Sequence, residues 1–301
     1  MNQRRLRSKG EWPTWLLAAV IYFLWALVVA FHRELPLPIL ALLGGLTVAW
    51  HLSLQHEATH GHPTRIPWVN TLIVGAPLAL YLPFPIYRES HLAHHRTREL
   101  SHPLEDSESF YVTEEQWARL GPVARGVLTV CQTLLGRIVL GPIHALVLFF
   151  QSEVRLFRID TPRRVPIWVF HLFAVLLLVV GLEVFAGMPA WKYILCFAYP
   201  GLGITLVRSF HEHRPHPAWK GRSAMLEAGP FFRLLFLNNN LHALHHREPD
   251  VPWYELPRVY RQRRHELLGD IHDFHLPGGY AAMFRRYFVR PKDSPVYPSS
   301  L

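Results

Sequence analysis

Four long apolar runs limit what this chain can fold into. Each is close to the roughly 20 residues that an α-helix needs to cross the apolar layer of a bilayer. They form two pairs, and the members of each pair are separated by only a few residues. A short connection requires antiparallel helices, so the sequence predicts two membrane-spanning hairpins. The runs are residues 15–31, 37–54, 166–185 and 191–207.

Two further apolar stretches are interrupted by residues that disfavour a straight span. Residues 66–87 contain four prolines, which break an interior helix, so we expect a re-entrant or interfacial piece. Residues 121–150 contain Arg125, Arg137 and the pair Gly141-Pro142, and we expect one or two interfacial helices. A further pair of spans is the alternative. The predicted fold class is an all-α integral membrane protein with about four transmembrane helices.

The charge pattern predicts how the chain is oriented. The formal net charge is +9, and an excess of Lys and Arg beside spans marks the cytoplasmic side. We therefore expect a cytoplasmic helical cap and both termini in the cytoplasm, with no nucleic-acid partner. Arginines in residues 258–264 predict a docking face for an acidic redox partner or anionic lipid. The basic groups are Arg4, Arg5, Arg7, Lys9, Arg163, Arg164, Arg208, Arg214 and this arginine stretch.

Cysteine usage and the end of the chain complete the organisation. The chain has two cysteines, Cys131 and Cys196, and neither lies in a CxxC pair. This pattern indicates neither a disulfide framework nor a thiolate metal site. We expect one domain over residues 1–291. Residues 292–301 are rich in Pro and Ser and predict a loose tail.

Histidines are concentrated in three clusters within this apolar chain. Because residues three and four apart share a helix face, each cluster directs several imidazoles to one side. Imidazole is a ligand for iron, zinc, copper and nickel. The number of histidines exceeds what one ion can bind, which predicts two transition-metal ions. The clusters are His56 with His60, His91 with His94 and His95, and His242 with His245 and His246.

A fourth histidine group follows the last apolar run. His211 and His213 are two residues apart, so they point in different directions on a helix and only one is expected to join the metal shell. Glu212 is a candidate acceptor for an imidazole N–H, and the asparagines of residues 238–240 could orient imidazoles. His62 is an additional histidine beside the first cluster, and we expect it to contact the metal ligands without binding the metal itself.

Two other functions fit parts of the pattern. His56-Glu57-x-x-His60 matches the HExxH motif of zinc metalloproteases, in which the glutamate is the general base. That function leaves the second and third clusters without a role. A metal transporter would place its ligands near the bilayer midplane, whereas these histidines lie at or beyond the ends of the spans. A zinc metalloprotease and a metal transporter are therefore kept as remote alternatives.

The three clusters have the forms HxxxH, HxxHH and HxxHH, in that order. Together with the flanking segments they resemble the membrane fatty acid desaturase and hydroxylase superfamily. They look like the bacterial branch that includes dihydrorhizobitoxine desaturase-like proteins and, more distantly, carotenoid ketolases. The segments are QHEATHGHPT over residues 55–64, SHLAHH over 90–95, RSFHEHR over 208–214 and NNNLHALHH over 238–246.

The resemblance implies a non-haem di-iron enzyme that uses O2 to oxidise an acyl or lipid-like substrate in the bacterial inner membrane. It implies a separate electron donor of the ferredoxin, rubredoxin or cytochrome b5 type. Desaturation is the expected reaction, with hydroxylation or ketolation as the alternative. The implied iron ligands are His56, His60, His91, His94, His95, His242, His245 and His246, with His213 as the ninth.

Overall fold

The computed structural model describes residues 10–299, and these are mostly helical with one small sheet. The prediction of an all-α fold is confirmed. The chain divides into two compact units. We call residues 11–88 and 141–205 the span unit, and Gly10 with residues 89–140 and 206–299 the histidine unit. The basic residues before Gly10 lie outside the described part of the chain.

The described residues form both long and short helices, and two short strands lie in the last third of the chain. In chain order they are α1 Trp12–Ala30, α2 Leu37–Thr59, α3 Pro67–Val74, α4 Phe84–Arg96, α5 Glu114–Arg119, α6 Pro122–Val130, α7 Leu134–Val139, α8 Gly141–Ile159, α9 Thr161–Gly181, α10 Ala190–Tyr193, α11 Tyr199–Ser209, β1 Met225–Leu226, α12 Pro230–Leu235, α13 His242–Arg247, α14 Leu256–Asp270, β2 His275–Leu276 and α15 Gly279–Tyr287. A π-helical turn, Leu182–Ala186, continues α9, and another, Ile194–Ala198, joins α10 to α11. Strands β1 and β2 pair in parallel.

Among the described residues, four helical segments are long and apolar enough to cross a membrane, as the sequence predicts. The second continues past its apolar run to Thr59, because the first histidine cluster is itself helical. The third begins at Thr161, ahead of the predicted start. The segments are Trp12–Ala30, Leu37–Thr59, Thr161–Ala186 and Ala190–Ser209.

Small residues allow close helix packing in the span unit. Helix α2 packs against α1 and against the π-helical turn Ile194–Ala198. A Cβ atom on Gly44 would lie 2.4 Å from the backbone oxygen of Cys196. Glycine at the contact between Gly44 and Cys196 lets two backbones approach closely, as is common between membrane helices. The Tyr193 hydroxyl adds a hydrogen bond of 2.9 Å to the Leu78 carbonyl.

The interrupted stretches form short helices. Helix α3 has 8 residues, which is too short for a span. Residues 121–150 contribute to three helices, α6, α7 and α8, where the sequence predicted one or two. The prediction missed a break at Thr133, whose side chain caps α7 by accepting from the Gly136 amide. Helix α8 has 19 residues but is not among the candidate spans.

In the histidine unit, the end of the chain is tied to the residues around position 112. Val112 donates to the Pro295 carbonyl at 3.0 Å, and Tyr297 donates to the Val112 carbonyl at 2.9 Å. Lys292 donates from its backbone amide to the Gln132 carbonyl at 2.8 Å. Residues 292–297 of the predicted loose tail are therefore held in place by backbone hydrogen bonds, which composition does not reveal.

Most arginines of the predicted docking face already have carboxylate partners. Arg258 pairs with Glu255, and Arg264 pairs with Glu227 at 2.8 Å. Arg263 pairs with Glu248 and Glu266. These ion pairs neutralise much of the positive charge that the sequence offers to an acidic partner.

Candidate metal centre

Four histidines of the histidine unit converge. His94 lies on α4, His213 follows α11 in a loop, and His242 and His246 lie on α13. His242 and His246 are four residues apart and therefore share one face of their helix. One ligand atom from each of the four residues lies within 4.8 Å of the others. We call these residues the four-histidine group.

The spacing of the ring nitrogens matches that of ligands around one ion. Nε2 of His213 lies 3.0 Å from Nε2 of His94 and 2.9 Å from Nε2 of His242. Nε2 of His246 lies 3.1 Å from Nε2 of His242. With metal–nitrogen bonds of about 2.1 Å, ligands at right angles would be about 3.0 Å apart.

The hydrogen bonds of the opposite ring nitrogens fix which nitrogen carries the proton. Nδ1 of His94 donates to Asp106 at 2.7 Å, and Nδ1 of His242 donates to the Asn239 side-chain oxygen at 3.1 Å. Nδ1 of His213 donates to the Arg222 carbonyl at 3.1 Å. With Nδ1 protonated, the Nε2 atom of each neutral ring carries a lone pair and is ready to bind a metal.

The pair His213 and His242 gives the strongest sign of a cation site. Burial lowers the pKa of His213 to about 3, and burial together with the neighbouring His213 holds the pKa of His242 well below its usual value. Both rings are therefore neutral at pH 7. Two Nε2 lone pairs then face each other across 2.9 Å. A shared cation turns this repulsion into attraction, so the residues fit a transition metal that prefers imidazole.

His94 differs from its neighbours in charge. Burial lowers its pKa, but the carboxylates of Glu108 and Asp106 more than offset this effect and raise the pKa to about 9. The same carboxylates would compensate the charge of a bound cation. A metal must therefore displace a proton from His94, which makes metal affinity depend on pH.

A second group lies beside the first in the histidine unit. His91, His95 and His245 also offer ligand atoms within 4.8 Å of one another. Nε2 of His95 lies 3.2 Å from Nε2 of His245, and Nδ1 of His91 donates to Glu108 at 2.8 Å. The His95 ring stacks on His246 with ring centroids 4.1 Å apart. The two groups are therefore neighbours, as a pair of ions would require.

The histidines of the first cluster belong to the span unit. His56 and His60 lie at the end of α2 with their ring centroids 5.2 Å apart. His62 follows them, and its Nδ1 atom lies 2.8 Å from a carboxylate oxygen of Glu11. His62 is thus paired with an acid at the start of α1.

The structure distinguishes the two histidines of the fourth group. His213 lies in the four-histidine group, whereas the His211 ring packs against Phe274 with ring centroids 5.0 Å apart. His213 also pairs with Ser223 in an isolated antiparallel bridge, and its Nδ1 atom donates to the Arg222 carbonyl at 3.1 Å. The sequence alone left the choice between His211 and His213 open.

Glu212 acts on the site through an asparagine. Its Oε1 atom accepts from Nδ2 of Asn239 at 2.7 Å and lies 3.2 Å from Nε of Arg208. The same oxygen is 3.5 Å from Nδ1 of His242. Burial raises the pKa of Glu212 to about 7, although Arg208 opposes the shift. Asn239 thus transmits the orientation set by Glu212 to His242.

Asp106 and Glu108 are functional candidates that the sequence reasoning missed. Asp106 is buried and also accepts from the backbone amides of Ser101 and Glu108, at 2.8 and 2.9 Å. The available signal was an acidic stretch, residues 105–108, shortly after the second cluster. Carboxylates near metal-binding histidines commonly accept the second imidazole N–H.

Comparison with known proteins agrees with this geometry. No curated protein gave a significant match to the chain. The family model described as Fatty acid desaturase matches residues 34–276, a range that contains all nine of the candidate ligands. The chain therefore belongs to the fatty acid desaturase family.

Proposed function

We propose that the protein is a membrane-bound di-iron desaturase that introduces a double bond into an acyl or lipid-like chain. Membership of the fatty acid desaturase family indicates an oxidoreductase. The observation that carries the proposal is the pair of neutral imidazoles, His213 and His242, whose Nε2 atoms face each other at 2.9 Å. This pair lies in the part of the chain that the family match covers.

The proposed ligand set divides nine histidines between two irons. One iron would be held by the four-histidine group. The second would be held by His91, His95 and His245, with His56 and His60 as further ligands. Family motif spacing supports the inclusion of His56 and His60. The full set is His56, His60, His91, His94, His95, His213, His242, His245 and His246.

The protein's own residues prepare this site. Asp106, Glu108 and Asn239 keep a proton on Nδ1 of His94, His91 and His242 and thereby present Nε2. When bound, the two irons would supply the capacity to activate O2 and abstract hydrogen. An imidazole set suits such an oxidising centre better than thiolates, which oxidise readily.

The reaction needs an external reductant. Loss of a hydrogen from each of two adjacent carbons supplies two electrons and two protons. The donor supplies two more electrons and solvent two more protons, so that one O2 becomes two waters. We expect a separate ferredoxin, rubredoxin or cytochrome b5-type donor. Hydroxylation or ketolation of a lipid-like substrate is the alternative outcome, because substrate placement decides whether oxygen enters the product.

The test is expression with a ferredoxin system, followed by mass spectrometry of the host lipids. A product lighter by one H2 supports desaturation, and one heavier by one oxygen atom supports hydroxylation. The exposed His265 provides a control, since His265→Ala should retain activity that His245→Ala loses. Purified protein that contains zinc and no iron, with no lipid change, contradicts the proposal.

We also propose that the histidine clusters and both termini face the cytoplasm of a bacterial inner membrane. Lys and Arg at the ends of the spans support this orientation. The assignment to the dihydrorhizobitoxine desaturase-like branch stays a prediction. Labelling of single cysteines in intact cells tests the topology, because a membrane-impermeant reagent should not reach position 265.

A further inference from the structure

The end of the chain contacts the loop that carries His213. We call residues 292–297 the C-terminal strap. They lie beyond residue 276, where the family match ends. Nζ of Lys292 donates to the carbonyl of Phe210 at 3.0 Å and to the carbonyl of His213 at 3.1 Å. It also lies 3.4 Å from the carboxylate of Asp293. Three acceptors therefore surround an ammonium group that carries three N–H donors.

The C-terminal strap also holds the loop that carries Asp106 and Glu108. The Tyr111 hydroxyl donates to Asp293 at 2.6 Å. Val112 exchanges backbone hydrogen bonds with Pro295 and Tyr297. These contacts come a few residues after Asp106 and Glu108, which accept from His94 and His91.

The burial of Lys292 indicates a specific role. Its side chain is only 8 % exposed, and a buried ammonium group costs free energy unless it is paired. A tail that served only to cover apolar surface would not need this charge. The ammonium instead bridges two carbonyls, one of them on a candidate ligand, His213. The ring of His213 is held on its other side by the Arg222 carbonyl at 3.1 Å.

We propose that Lys292 is a positioning residue for His213 and that the C-terminal strap sets the geometry of the four-histidine group. This inference rests on the proposed function, since it assumes that the protein binds two irons. Lys292 acts through the backbone of residues 210–213. Loss of its contacts should weaken the iron site of the four-histidine group and spare the other.

The experiment compares Lys292→Met with Lys220→Met in the purified full-length protein. Methionine keeps most of the length of the lysine side chain but cannot donate a hydrogen bond. Lys220→Met is the control, because Lys220 is an exposed lysine paired with Asp270. The readouts are iron bound per chain and the rate of iron release to a chelator. In Lys292→Met we expect one of two release phases to accelerate about 10- to 100-fold, matching the loss of metal affinity that is typical when a group that orients a metal ligand is removed. Lys292→Arg should restore part of the retention.

Each other outcome has a definite meaning. Two unchanged release phases in Lys292→Met overturn the positioning role. Equal acceleration of both phases, together with a lower unfolding temperature, also overturns it, because a general structural role predicts that result. Should Lys292→Met fail to fold, Tyr111→Phe replaces it, since it removes only the hydroxyl that donates to Asp293. Faster iron release from the four-histidine group then supports the role of the strap, and unchanged release overturns it. Wild-type protein that binds fewer than two irons contradicts the proposed function itself.

Discussion

The two units of this protein are ordered by different interactions. The span unit has long apolar helices, and helix α2 packs through Gly44 against the backbone near Cys196. In the histidine unit, helices such as α5, α7, α12 and α13 have 6 residues each. Such helices are too short to be stable alone. Helix α13 carries His242, and Asn239 and Asp106 hold the rings of His242 and His94, so part of the order in the histidine unit depends on side chains that surround the metal site.

The largest expected effect is the loss of a ligand. His242→Ala removes one of the two Nε2 atoms that face each other at 2.9 Å. We expect loss of one iron and of detectable desaturation, with insertion into the membrane unchanged because the spans are untouched. Iron analysis and lipid mass spectrometry measure the two effects, with His265→Ala as the control. Full activity in His242→Ala would remove the four-histidine group from the site.

The next effect concerns the carboxylate behind His94. Asp106→Asn keeps the shape of the side chain but removes the charge that accepts from Nδ1 of His94 at 2.7 Å. We expect iron affinity at one site to fall about 10- to 100-fold. Competition with a chelator measures the affinity, and Asp250→Asn is the control, because Asp250 is exposed. Equal affinities in both variants would show that the charge of Asp106 is not needed.

A packing change in the span unit should lower the stability of the protein without weakening the four-histidine group. Gly44→Ala places a Cβ atom 2.4 Å from the Cys196 backbone oxygen, and overpacking typically costs about 1–3 kcal/mol. We expect a lower unfolding temperature and unchanged iron release from the four-histidine group, to which α2 contributes no residue. In the control Gly126→Ala the new Cβ atom points into open space, with no neighbour within 4 Å beyond its own stretch of helix. If Gly44→Ala accelerates iron release from the four-histidine group, the two units are not ordered independently.

The sequence was informative where a pattern is local. The spans follow from long apolar runs, and the histidines follow from helical spacing within each cluster. The roles of Arg222 and Lys292 could not be predicted, because a backbone carbonyl accepts from His213 and a lysine far along the chain donates to it. Contacts of this kind depend on the tertiary fold. They leave no trace in residue type or spacing.

The smallest effect tests whether local caps matter in the histidine unit. Thr113 caps α5 in a reciprocal arrangement with Gln116, and loss of a cap typically costs about 1 kcal/mol. We expect Thr113→Ala to speed amide hydrogen exchange in α5. Thr129→Ala should have little effect, because its hydroxyl donates to the Arg125 carbonyl within a helix and caps nothing.

The same variant bears on the coupling between local order and the metal site. Helix α5 begins directly after Val112 and Thr113, and Val112 is the residue that pairs with Pro295 and Tyr297. If the Thr113 cap and the C-terminal strap act independently of each other, Thr113→Ala leaves the rate of iron release unchanged while the rate of amide exchange in α5 rises. Faster iron release would mean that α5 also supports the loop of Asp106 and Glu108. The Thr113 hydroxyl would then influence the geometry of the histidine ligands, and the histidine unit would behave as one cooperative unit.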